Sequence, residues 1–70
     1  MRYHYVLTLD LPGIGTVTRS QAVEIAPGAS RADVYRQVVA ETVEMVEREA
    51  RRSASGPGLT LCWSLEPDAL

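Results

Sequence analysis

The residues best suited to chemistry are His4 and Cys62, the single histidine and single cysteine of this 70-residue chain. A thiol beside an imidazole is a nucleophile with its base, or two ligands of a metal site. Strand periodicity puts both on the same face of a sheet. No third group is indicated that would orient the imidazole, however, and an open sheet face excludes no water. Two donors also fall short of the four that a structural zinc takes. We therefore expect no enzyme, no catalytic residues, no metal and no cofactor, and read Cys62 as a small buried or half-buried hydrophobe.

Two other motifs invite a chemical reading. Gly13-Ile14-Gly15 has the look of a phosphate loop, but a strand follows it where such a loop needs a helix N-terminus. A turn is the simpler reading. Tyr3, Tyr5 and Trp63 could stack on bases, yet periodicity places them on the covered side of the sheet with no basic cluster among them. Core is the better reading. The net charge of −2 offers nucleic acid no basic footprint. No run approaches the ~20 apolar residues of a membrane span. The first residues lack the pattern of a signal peptide, and a lone thiol suits the cytoplasm.

The elements that position these residues follow from periodicity. Arg2 to Leu11 alternates, with Tyr3, Tyr5, Leu7, Leu9 and Leu11 on one face, and predicts a strand over 2–11. Pro12-Gly13 supplies a turn. A second strand over 17–26 closes a hairpin of uncertain register, because Arg19 and Gln21 share a face with Val23 and Ile25. A bulge would explain this; an edge that the helix leaves uncovered is the preferred explanation, since a charge there discourages stray pairing. After Pro27-Gly28-Ala29, Ser30 is a natural N-cap and Asp33 suits the first turn of a helix over 30–53. Val34, Tyr35, Val38, Val39, Thr42, Val43, Met45 and Val46 form its apolar arc. Glu44–Arg48 and Glu47–Arg51 are i,i+4 pairs in the favourable order. Leu59, Leu61, Trp63 and Leu65 alternate in a strand over 59–66, which Pro67 stops before a tail of Asp68-Ala69-Leu70.

These elements predict one α+β domain of ββαβ layout over residues 1–70. Its sheet has three antiparallel strands in the order 2-1-3, with one long helix packed on one face. A β-grasp-like arrangement, with the last strand parallel to the first, is the alternative. The uncovered sheet face should carry Arg2, His4, Val6, Thr8 and Asp10, then Thr60, Cys62, Ser64 and Glu66, and Thr18, Ser20, Ala22 and Glu24 from the second strand. The plain reading is a solvated face. The sharper one is a candidate interaction face centred on Arg2, His4, Thr8, Asp10, Thr60, Cys62 and Ser64. Val39, Val43 and Ala50 at the margin of the helix arc are a lip of core or a seam for another helix.

All seven basic residues are Arg, and Lys, Asn and Phe are absent, a bias typical of GC-rich genomes. Tyr3-His4-Tyr5-Val6-Leu7-Thr8-Leu9, Pro27-Gly28-Ala29-Ser30-Arg31 and Ser64-Leu65-Glu66-Pro67 together resemble a group of short uncharacterised actinobacterial proteins with the same order of elements. The resemblance spans nearly the whole chain and implies a fold and no activity. A chain this small sits near the lower limit for folding alone, and it has neither a second cysteine nor a zinc cluster to staple it. A partner chain remains open. We therefore expect a non-enzymatic protein–protein interaction module, self-associating as a homodimer, acting through the open face, the second-strand edge or the helix margin. The alternative is a small-ligand-binding or regulatory subunit with a pocket between helix and sheet near Tyr3, Tyr5 and Trp63. Neither nucleic acid nor membrane is expected as a partner.

Overall fold

The computed structural model describes residues 1–68; Ala69 and Leu70 of the expected tail lie outside the described residues. Its elements are β1 (Arg2–Leu11), β2 (Gly15–Glu24), α1 (Arg31–Ala50) and β3 (Leu59–Pro67). The sheet has the order β2-β1-β3, and both outer strands run antiparallel to the central one. The ββαβ layout holds, and the β-grasp alternative fails because β3 is antiparallel to β1.

The alternation of β1 explains its central place. Tyr5, Leu7, Leu9 and Leu11 are buried on the helix side. The helix answers with Val34, Val38, Thr42 and Val46, spaced four apart so that they fall on one stripe. Leu65 of β3 completes the buried set. Twenty helical residues at ~1.5 Å each span ~30 Å, close to the ~33 Å of a ten-residue strand, so α1 can cover the sheet lengthwise.

Each junction has a local cause. Leu11 O accepts from the Ile14 N–H at 3.0 Å, and Gly13 takes a positive φ of 84°, the left-handed position that a Pro-Gly turn requires. This short turn starts β2 at Gly15, two residues before the expected position, and β2 ends at Glu24 rather than 26. Its register against β1 is unbroken, with Leu7 opposite Arg19 and Tyr5 opposite Gln21. The bulge considered for β2 is absent, and the strand is an edge.

At the helix start, Ser30 accepts from the Asp33 N–H, and the Asp33 carboxylate accepts from the Ser30 N–H, closing a capping box. The helix ends at Ala50, before the expected 53. Arg51 there takes a left-handed φ of 57° and donates its N–H to Glu47 O. Glu47 does not pair with Arg51 as its spacing suggests; its carboxylate accepts from the Ala54 N–H at 2.7 Å and organises the loop. That loop then pins the hairpin. The Ser55 N–H donates to Pro12 O and the Arg52 guanidinium to Gly13 O, both at 2.8 Å. Gly58 passes so close that a Cβ there would meet Leu11 Cδ2 at 2.8 Å.

The largest departure from expectation lies in β3. The register shifts between Thr8 and Leu9, so that Cys62 faces Thr8 but Thr60 faces Leu9, with Leu61 as the extra residue of a β-bulge. The clean Leu59-Leu61-Trp63-Leu65 alternation therefore breaks. Leu59 and Leu61 are 62% and 55% exposed, while Thr60 moves to the helix side and hydrogen-bonds the Tyr35 hydroxyl.

Candidate functional site

The open sheet face is built from cross-strand rows set by the two registers. Thr18, Thr8 and Cys62 form one row; Ser20, Val6 and Ser64 the next; Ala22, His4 and Glu66 a third. The side chains satisfy one another laterally. Thr8 and Thr18 hydroxyls pair at 3.0 Å, His4 Nε2 meets Ser20 Oγ at 2.7 Å, and Arg2 pairs with Asp68 at 3.3 Å. Arg2, His4, Thr8, Asp10, Cys62 and Ser64 thus lie on the face where the alternation put them. Thr60 is the exception, carried to the other side by the bulge.

The same registers separate the two reactive side chains. Cys62 sits opposite Thr8 and His4 opposite Glu66, four residues apart along the strand and hence ~13 Å at ~3.3 Å per residue. They form no dyad. Among the described residues, no group of three or more His, Cys, Asp or Glu is placed to hold a metal. No helix there is long and apolar enough to cross a membrane.

The aromatic residues are structural. Trp63 stacks on Tyr5 with centroids 6.0 Å apart and takes the edge of Tyr35 at 5.1 Å. Tyr5 is buried to 2% exposure and donates its hydroxyl to Gln21 Oε1 at 3.2 Å. Burial raises its pKa above the ordinary tyrosine value; Arg19 opposes this and Glu41 adds to it. Val39 and Val43 are half-buried against the core, on the helix flank that also carries Tyr35. Ala50 is exposed at the last turn of the helix.

A concave feature lies on the opposite flank. A groove of about 320 Å³ runs between β2 and the first half of α1. Tyr5, Val23, Val34 and Val38 contribute apolar lining, and Glu24, Asp33 and Glu41 contribute carboxyls; no basic side chain lines it. Asp33 is held below the ordinary carboxyl range chiefly by hydrogen bonds from Ser30, with Arg36 assisting. Of the three aromatics expected around a pocket, Tyr5 lines this groove and Tyr3 and Trp63 do not.

The backbone beside the groove is open. Met1 and Ile25 exchange two backbone hydrogen bonds, at 3.0 and 3.3 Å. Bonded and non-bonded pairs alternate along an antiparallel ladder, so Val23, Gln21, Arg19 and Val17 turn their amides inward to β1. The amides of Thr16, Thr18, Ser20, Ala22 and Glu24 then point outward, and no described strand pairs with them. The sequence led us to expect a pocket between helix and sheet near Tyr3, Tyr5 and Trp63. The groove does lie between helix and sheet, but of those three only Tyr5 lines it. Its place beside β2 was hinted at only by Arg19 and Gln21 on an otherwise apolar face.

No family model matches the chain, and neither a curated protein nor a solved structure does. The resemblance to short actinobacterial proteins therefore rests on the quoted residues alone.

Proposed function

We propose that this protein is a non-enzymatic interaction module that binds another polypeptide along β2 and self-associates as a homodimer. One observation carries the reading: a regular row of outward amides on β2 borders a groove with apolar lining on α1 and the sheet. Main-chain donors and acceptors beside side-chain pockets are the two components of recognition by strand addition. A cytoplasmic setting is part of the proposal, supported by the unpaired thiol of Cys62.

The groove also favours a second reading, a small-ligand site. Its volume falls at the lower end of the range for such sites. A ligand there would be cationic with an apolar body, matching the carboxyls and valines that line the groove.

Sedimentation equilibrium over a wide concentration range tests the first reading, and a reversible monomer–dimer equilibrium is the expected result. A chain that stays monomeric and is stabilised thermally by a small cation favours the second, since ligand stabilisation follows mass action. Reproducible turnover lost on Cys62→Ala or His4→Ala would sink both.

A further inference from the structure

We infer that the occupant of the β2 edge is β2 of a second copy, paired antiparallel about a two-fold axis through Ser20. The inference rests on the interaction reading above and specifies its partner and register.

The outward amides limit the choices. They belong to even-numbered residues (Thr16 to Glu24), so two copies can form hydrogen-bonded pairs only between even-numbered residues. A symmetric ladder using nearly all of β2 then centres on residue 19 or on residue 20. Centring on residue 19 sets Arg19 against the second copy's Arg19, and like charges directly opposite each other are destabilising. Centring on Ser20 removes that conflict. Thr18 then faces the second copy's Ala22, Thr16 faces its Glu24, Val17 faces its Val23 and Arg19 faces its Gln21.

This register also matches charge. Arg19 is the single basic residue of β2, and Gln21 and Glu41 both line the groove. In its own copy the Arg19 guanidinium donates to Thr42 Oγ1 at 3.5 Å. Placed opposite Gln21 of the second copy, it stands beside a groove that carries Glu24, Asp33 and Glu41 and no base of its own. Val17 and Val23, each half-buried in one copy, cover one another across the joint. The product is a continuous six-stranded sheet with both helices on one side.

The β3 edge competes poorly as a self-pairing site. Leu61 bulges out of its ladder, the Arg31 guanidinium occupies Leu65 O at 3.3 Å, and Pro67 has no N–H to offer.

Two substitutions test the pairing. Ser20→Pro removes an outward N–H and leaves the ladder to β1 intact, so the domain should fold and the dimer dissociation constant rise at least tenfold. Ser20→Cys in a Cys62→Ser background should cross-link under mild oxidation. Directly bonded residues stand ~5.5 Å apart at Cα, within disulfide reach. Leu61→Cys in the same background should stay uncross-linked. A wild type that is a dimer, with Ser20→Pro equally dimeric or the cross-link forming at residue 61, overturns the β2 register and leaves the self-association reading standing. A wild type that is monomeric at every concentration overturns both.

Discussion

The two edges of the sheet are built on opposite principles. β2 is regular: its register is unbroken, its outward amides meet no described strand, and its side chains include three hydroxyls together with Arg19, Gln21 and Glu24. β3 is the reverse. No charge interrupts Leu59 to Leu65, and Leu59 and Leu61 stand exposed, which is the composition of a sticky edge. Its protection is geometric, with a bulge at one end, the Arg31 guanidinium over Leu65 and Pro67 at the close. An edge with accessible backbone and polar side chains suits specific, reversible pairing. An edge with apolar side chains and an obstructed backbone suits being left alone. Side-chain polarity by itself ranks the two in the opposite order to backbone accessibility.

The strand that both edges share sets the largest effect. Leu7 is wholly buried between Arg19 and Trp63 in the cross-strand row, so Leu7→Ala should cost ~2–5 kcal/mol by lost transfer energy and cavity. Urea denaturation should find the domain largely unfolded in water, with hydrogen-exchange protection lost from both ladders together. Protection lost from one ladder alone would show that the edges are independent of the central strand.

A sharper contrast comes from moving one proline by one residue. Gln21 turns its N–H inward to β1, so Gln21→Pro deletes a ladder bond and strands an acceptor, at ~1–3 kcal/mol. Ser20→Pro should shift the stability of the monomer by less than ~1 kcal/mol. Chemical denaturation of the two variants at a concentration that keeps both monomeric checks this. Equal costs would mean that the assignment of inward and outward amides along β2 is wrong.

Arg31→Ala should cost ~1 kcal/mol through its lost hydrogen bond to Leu65 O. Its larger consequence is kinetic: an uncovered β3 should aggregate faster on storage, followed by light scattering, and Leu61→Arg in the same chain should reverse that. Unchanged aggregation in Arg31→Ala would show that the bulge alone protects β3.

The smallest effect leaves both edges untouched. Ser30→Ala should cost ~1 kcal/mol through the helix cap and raise the Asp33 carboxyl toward its ordinary value, read by NMR titration. Because folding lowers the Asp33 pKa, its stabilising contribution is complete above the unfolded carboxyl pKa and is lost as pH falls through the lowered folded value. The acid-side loss of stability should therefore be shallower in Ser30→Ala than in the wild type. An identical acid limb in both proteins would remove Ser30 as its cause.

Much of the fold was readable along the chain because it depends on local chemistry. The alternation of Tyr5, Leu7, Leu9 and Leu11 specifies a buried face whatever packs on it. Ser30 with Asp33 specifies a helix start within one turn, and Pro12-Gly13 specifies a tight reversal. The open face followed from the same alternation, which is why His4, Thr8, Cys62 and Ser64 stand where periodicity put them. The helix end was harder, since Arg51 takes a left-handed cap that its residue type does not announce. The β3 bulge was not readable at all. Leu59, Leu61, Trp63 and Leu65 alternate as well in the sequence as any strand, but the extra residue is visible only against a partner strand.

The sequence by itself determined the elements, the central place of β1 and the small polar character of the open face, because alternation and capping act within a few bonds of the residue concerned. Only the tertiary structure decided which side chains met: His4 with Ser20 instead of Cys62, Thr60 with Tyr35, and Arg31 with the β3 edge. It also placed the acidic groove beside the outward amides of β2. Register and helix docking set these contacts between residues distant along the chain, and neither leaves a mark in local composition.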